Sequence, residues 1–277
     1  MRAALLQLTS GDDPRANLDT VLPMLRDAAD QGAQIALTPE VTNCVSLDRA
    51  HQRTVLEYEE DDIFLTTLKS EAARLGLWVL AGSLALRAEP PETRFVNRSI
   101  LIDDAGNVAA RYDKMHMFDV EVSETETFRE SSGYAPGDRA VTARTPFGTL
   151  GMTVCYDLRF PYLYRALAQA GAQVLCVPSA FSPGTGPWHW QPLLQARAIE
   201  TGCYVLALAQ TGTHPAQRGR TRKTYGHSLV VSPWGEVLLD AGTDPGLHVI
   251  DLDLTRVDEA RRKVPALTHD RSFTGPA

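Results

Sequence analysis

The 277 residues are 44% hydrophobic and 22% charged, close to ordinary globular averages, which excludes disorder, collagen and coiled coil and leaves ample material for a buried core. Asp and Glu outnumber Lys and Arg by 34 to 27, a formal charge of −7 that provides no electrostatic footprint for nucleic acid or an anionic membrane. The four cysteines (Cys44, Cys155, Cys176, Cys203) are too few for a disulfide framework and form no CxxC pair, so a reduced cytoplasmic protein is expected.

The chain enters a strand at Ala3–Leu8 without a signal-peptide-like apolar run. An amphipathic helix follows, with Leu18, Val21, Leu22, Leu25 and Ala29 at helical spacing. Next come a short apolar strand, a helix around Phe64–Leu75, another apolar strand, and a hairpin turning at Asp104–Asn107, where glycine supplies the turn. The order then recurs. A strand at Thr149–Cys155 leads to a helix through Leu163, Ala166, Leu167 and Ala170, a strand, a helix at Pro192–Thr201, a strand, and a hairpin at Pro233–Glu236. Ala166 to Ala196 lacks any charged residue, yet Gly171, Pro178, Pro183, Gly184, Gly186 and Pro187 interrupt it, so it reads as buried helix, strand and loop instead of a membrane span.

Three segment pairs show the recurrence directly: GAQIALTPE from Gly32 with GAQVLCVPSA from Gly171, GLWVLAGS from Gly76 with GCYVLALA from Gly202, and SILIDDAGNVAA from Ser99 with SLVVSPWGEVLL from Ser228. They keep the same order at offsets of 139, 126 and 129 positions, the mark of an internal repeat. Two similar βαβαββ halves, each a sheet with helices on one face, bury their remaining faces best against each other. The expected fold is therefore α/β, a four-layer α-β-β-α sandwich. Glu89–Arg94 and His214–Lys223 read as loops, neither separating two self-sufficient cores, so residues 1–277 are expected to form a single domain. The polar tail from about residue 255 is expected to pack along the surface or against a partner subunit.

Ligands of such sheets gather at the carboxyl ends of strands, and three reactive residues fall there. Glu40 ends QIALTPE, Lys114 follows NVAARYD, and Cys155 ends GTLGMTVC at the opening of a helix. Taken singly, each has a plain reading: a solvated strand-end acid, a surface lysine paired with Asp113 or Asp119, a buried structural thiol. Cys176 and Cys203, mid-strand among apolar neighbours, fit that last description. Cys155 differs because a helix N-terminus favours a thiolate and leaves backbone N–H groups free for an oxyanion. In one pocket the three would supply a nucleophile, a proton carrier and a cation for a tetrahedral intermediate. Arg159, four residues past the cysteine, offers a bidentate fork for a substrate carboxylate or, equally, a helix-surface ion pair.

TPE (Thr38–Glu40), YDKMHMFDV (Tyr112–Val120) and GMTVCYDLRFP (Gly151–Pro161) resemble the three signatures of the nitrilase, or carbon–nitrogen hydrolase, superfamily. The likeness continues through GPWHW (Gly186–Trp190), ARAIET (Ala196–Thr201), YGHSLVVSPWGEV (Tyr225–Val237) and RRKVPALTHDR (Arg261–Arg271). It implies the α-β-β-α sandwich, commonly as a homodimer, and hydrolysis of a linear carboxamide through a Cys thioester, without metal or organic cofactor. It places the catalytic set on Glu40, Lys114 and Cys155, with Glu130 in TFRES as a second glutamate. Substrate contacts are expected at Tyr156, whose N–H would join Lys114 at the oxyanion, and at Arg159 and His189. The nearest likeness is to the Nit subgroup of deaminated-glutathione amidases and omega-amidases, implying a small carboxylate-bearing amide. An omega-amidase acting on alpha-ketoglutaramate and an N-carbamoyl amino acid amidohydrolase are alternatives. The chain departs at Trp188, where the subgroup has Ala, and in the longer loop Gly212–Thr224, both expected near the acyl pocket. Two rivals remain open: a Cys–His hydrolase using His116, His189 or His227 as base, and a non-catalytic binding or redox-sensor protein that retains the pocket.

Overall fold

A computed structural model describes residues 1–123, 126–217 and 219–275. The first half runs β1 (Arg2–Gln7), α1 (Pro14–Asp30), β2 (Ile35–Leu37), α2 (Arg49–Val55), α3 (Ile63–Leu75), β3 (Trp78–Arg87), β4 (Phe95–Ile102) and β5 (Val108–Asp113). A hairpin of β6 (Asp119–Ser123) and β7 (Glu126–Arg129) leads to β8 (Tyr134–Ala135) and β9 (Val141–Thr145). The second half continues with β10 (Gly148–Met152), α4 (Pro161–Gln169), β11 (Val174–Cys176), α5 (Gly186–Thr201) and β12 (Tyr204–Ala207). After the short β13 (Thr211–Thr213) and β14 (Lys223–Tyr225) come β15 (Leu229–Val231), β16 (Val237–Asp240), β17 (Gly246–Asp251) and α6 (Thr255–Lys263).

Two sheets carry the repeat. One has the order β17-β1-β2-β3-β4-β5, the other β16-β15-β12-β11-β10-β9. In each, three parallel strands end in an antiparallel hairpin, whose turn uses Gly106 (φ 80°) or Gly235 (φ 90°). Each sheet also gains an antiparallel strand beyond its first parallel one, β17 on β1 and β9 on β10. The sequence pattern missed this pair because β17 (GLHVID) and β9 (VTART) lie outside the repeated segments. Since β17 is C-terminal to the second half yet completes the first sheet, the first half is not closed by its own chain, whereas β9 closes the second sheet from just before β10.

Strand alternation accounts for the layers. Ala3 and Leu5 of β1 point into a core shared with Leu150, Met152, Val174 and Cys176 of the opposite sheet. Their neighbours Ala4 and Leu6 point the other way, onto Leu18, Val21 and Leu25 of α1 and Phe64 and Leu68 of α3. On the far side α4 and α5 bury Leu163, Leu167, Trp190 and Leu194. This is the four-layer sandwich. Two helix details differ from the spacing argument. Ala166 is exposed while Tyr164 and Ala168 are buried, because α4 starts at Pro161 and sets its own phase. And α5 begins at Gly186, six residues before Pro192, since Pro187 fits a first helical turn. The tail lies along the second half: Arg165 of α4 donates to Asp270, and Arg261 of α6 to the Ala172 and Thr201 carbonyls.

The sheets meet tightly beside their carboxyl ends. A Cβ on Gly82 of β3 would lie 1.8 Å from the Thr38 carbonyl oxygen, 2.6 Å from Pro178 Cβ and 2.7 Å from the Pro39 carbonyl oxygen. Only the absence of a side chain lets the segments after β2 and β11 come together there. Gly82→Ala is expected to lower stability by at least ~1–3 kcal/mol through overpacking and to shift Thr38–Glu40. Denaturant melts with activity assays check this, and a variant equal to wild type in both would refute it.

Candidate active site

The residues singled out at strand ends converge. Glu40 lies three residues beyond β2, Lys114 directly follows β5, and Cys155 opens a short 3-10 turn, Cys155–Arg159, between β10 and α4. All three, with Glu130, line one cavity of about 700 Å3, ample for a small organic ligand.

Lys114 is 2% exposed. Its Nζ donates to Glu40 Oε1 at 2.9 Å and to Glu130 Oε1 and Oε2 at 3.0 and 2.8 Å. Burial disfavours its charge, but the Glu130 and Glu40 carboxylates overcome that and hold it firmly protonated. Glu40 is also held from other sides: Asn97 Nδ2 donates to Oε1 at 2.8 Å and the Ala180 N–H to Oε2 at 2.8 Å. Burial pushes its carboxyl up, yet the charges of Lys114 and Arg222 prevail and keep it at about 2. Glu130 additionally accepts from the Phe118 N–H at 2.7 Å and from Asn97 Nδ2 at 3.3 Å.

Cys155 corrects one expectation. Burial and the negative charge of Glu40 push its thiol well above the ordinary range, outweighing Lys114. This direction favours the neutral thiol, because a single 3-10 turn does not offset loss of water beside a carboxylate. Its backbone sits at φ 49°, in the left-handed region, held by its N–H donating to the Pro178 carbonyl at 2.9 Å. Val41, next to Glu40, has φ 46°, an unusual angle for a β-branched residue, and its N–H donates to Ser83 Oγ at 2.8 Å. Such angles persist only where the surroundings enforce them, and they cluster at functional sites.

The remaining expected contacts fall differently. Tyr156 is half-buried, with its ring edge-on to Phe118 and Phe160, and its N–H meets no acceptor among the described residues. Arg159 and His189 pair with each other, Arg159 Nη2 lying 3.2 Å from His189 Nδ1, and neither lines the cavity. Trp188 is 77% exposed on α5 and also stands apart from the cavity, correcting the expectation drawn from that departure. The 212–224 loop does reach it, through Gly219, Arg220 and Arg222. Sequence reasoning missed Asn97, an amide buried inside β4, where an asparagine rarely sits without a purpose. It also missed Arg49 of α2 and Tyr134 on the opposite wall, where the guanidinium stands 4.8 Å over the ring centre. Among the described residues no cluster of His, Cys, Asp and Glu has metal-binding geometry, and no helix is long and apolar enough to cross a membrane.

Comparison with known proteins agrees with this architecture. Residues 2–262 match the family described as carbon-nitrogen hydrolase. The deaminated glutathione amidase of Yersinia enterocolitica is 38% identical over 97% of this chain and 92% of its own length. The human protein of that name is 40% identical over 97% and 81%. Among solved structures, the C. elegans NitFhit protein superposes with a TM-score of 0.88 at 33% identity, over 98% of this chain and 65% of the longer worm chain. An amidase from Nesterenkonia sp. AN1 superposes at 0.77 and 30% identity, over 96% of this chain and 98% of its own. One variant of that amidase carries acrylamide added at its active site cysteine.

The depressed Glu40 carboxyl links the site to acid stability. Its ordinary value is 4.5 and its folded value about 2, so its stabilisation is complete above pH 4.5 and disappears as pH falls toward 2. Melts of wild type and Glu40→Gln are expected to differ most above pH 4.5 and to converge toward pH 2. A difference independent of pH would contradict the assignment.

Proposed function

This chain belongs to the carbon–nitrogen hydrolase family and is an amide-hydrolysing enzyme, and from that premise we propose that Cys155, Glu40 and Lys114 carry out the reaction, with Glu130 holding Lys114. The observation that carries the reading is a buried ammonium clamped between two carboxylates in the cavity that also holds a strained cysteine.

A linear amide enters with its carbonyl oxygen toward Lys114. Because the resting thiol is neutral, its proton passes to Glu40 as the sulfur attacks the carbonyl carbon, so no free thiolate accumulates. The oxyanion is met by the Lys114 ammonium and the open Tyr156 N–H. Glu40 returns the proton to the departing amine, the C–N bond breaks, and a thioester remains on Cys155. Glu40 then takes a proton from water, whose oxygen attacks the thioester, and the returning proton regenerates the thiol as the acid leaves. No step calls for a metal or organic cofactor. A Cys–His scheme has less support, since His116 is engaged at both ring nitrogens, by Asp157 and Tyr162, and His189 and His227 pair with Arg159 and Asp240.

For the substrate we infer a carboxylate-bearing amide of the deaminated-glutathione type. Arg49, Arg220 and Arg222 line the cavity, and the curated relatives named above carry that activity in their names. Arg159, whose guanidinium lies 5.7 Å from the Tyr156 and Phe181 ring centres and pairs with His189, stands outside that cavity and is left out of the carboxylate contact. The reading extends to a homodimer or higher homo-oligomer in the cytoplasm. Four free thiols suit a reducing compartment, and Tyr162, Trp188 and Ile199 on α4 and α5 present exposed apolar surface for a second copy.

Cys155→Ala is expected to abolish turnover with the fold intact, and Glu40→Gln to lower kcat by roughly 100- to 10,000-fold. Unchanged amidase activity in Cys155→Ala would end the proposal. A kcat/KM panel over acidic and neutral amides tests the substrate class. Arg220→Gln is expected to lose about tenfold or more on acidic amides and little on neutral ones, whereas equal losses on both would rule out carboxylate recognition.

A further inference from the structure

We propose that Asp157 is a positioning residue that fixes the nucleophile against the lysine, an inference that rests on the Cys155–Lys114 chemistry above. Asp157 is fully buried two residues after Cys155. Its Oδ2 accepts from Tyr112 Oη at 2.6 Å and from the Val154 N–H at 2.8 Å. Its Oδ1 accepts from the His116 N–H at 3.1 Å and meets His116 Nδ1 at 2.6 Å. Tyr112 and His116 stand two residues before and two after Lys114. One carboxylate therefore gathers three polar groups from the strand end that carries Lys114 and one from the residue preceding Cys155. The two segments come from different sheets, so no backbone ladder sets their separation.

The local geometry explains why such a tie is needed. Cys155 sits at φ 49°, and the Val154 N–H bond to Asp157 braces the residue just before that angle. On the other side, the Phe160 ring stacks on His116 with centres 3.6 Å apart and planes 10° from parallel, and Tyr162 Oη meets His116 Nε2. With both ring nitrogens occupied, His116 is held as a spacer instead of a proton carrier. Charge-assisted bonds to a fully buried carboxylate are short and directional, suited to holding a distance to a fraction of an ångström. Nothing about Asp157 touches the substrate cavity directly; its effect passes through the placement of Cys155 and Lys114.

Asp157→Asn keeps the shape and weakens the acceptor set, while Tyr112→Phe removes one bond only. Both are assayed on the fastest amide of the panel, at a temperature where thermal melts show full folding. Misplacement of reacting groups by about 1 Å is expected to lower kcat about 100-fold in Asp157→Asn and about tenfold in Tyr112→Phe, with KM within about threefold of wild type. A purely structural role would lower Tm and leave kcat of the folded protein intact, and that result in either variant overturns the proposal. If Asp157→Asn does not fold, Tyr112→Phe decides alone. Cys155→Ala is run alongside: turnover there would indict the underlying chemistry, not the positioning role.

Discussion

The site depends on a lysine ammonium taken out of water and held between two carboxylates. Such a group is costly to bury and stable only while both partners and their own hydrogen bonds stay in place; removing one partner of a buried pair costs about 3–5 kcal/mol. Glu40 and Glu130 are accordingly pinned, by Asn97 and the Ala180 N–H on one side and by the Phe118 N–H on the other. Ala180 belongs to the second half of the chain and Glu40 to the first. The ion cluster thus exists only when the two sheets are stacked, and Gly82 is the point where their carboxyl ends close on each other.

The same electrostatics governs reactivity. Burial first, and then the negative charge of Glu40, raises the Cys155 thiol despite the neighbouring lysine. A thiol in that state is a poor target for adventitious alkylation or oxidation. In the proposed reaction, nucleophilicity arises when a substrate carbonyl sits where proton transfer to Glu40 and C–S bond formation proceed together. Positive charge lies in the same cavity lining, on Arg49, Arg220 and Arg222. Arg222 is tied to the carboxylates, because its guanidinium donates to the Ala180 carbonyl while the Ala180 N–H donates to Glu40.

Much of this was legible in the chain. The paired GAQ segments located equivalent strands β2 and β11, and helical spacing located α1 to within a turn. Glu40, Lys114 and Cys155, which the structure brings into one cavity, stood out because strand ends and motif resemblance point to the same residues, and Glu130 beside them came from the resemblance alone. What escaped has physical reasons. Strand β17 pairs across the two halves and β9 precedes the second, both outside the repeated segments, so periodicity carries no sign of them. Asn97 and Asp157 act through buried hydrogen bonds to residues tens of positions away, and a single sequence shows only their polar identity. The neutral state of Cys155 is a sum of burial and two opposing charges, which motif position alone read in the wrong direction. Arg159 was placed near the substrate by its nearness to Cys155 in sequence and Trp188 by its departure from the subgroup's pattern, whereas neither side chain lines the cavity.

The most direct test is to acid-quench the enzyme during turnover of a carboxylate-bearing amide and map the acylated peptide by mass spectrometry. The acyl mass should appear on the peptide containing Cys155, and added hydroxylamine should remove it. Steady turnover with no adduct, or an adduct on Cys44, which lines the same cavity, would contradict the assignment of the nucleophile and with it the mechanism.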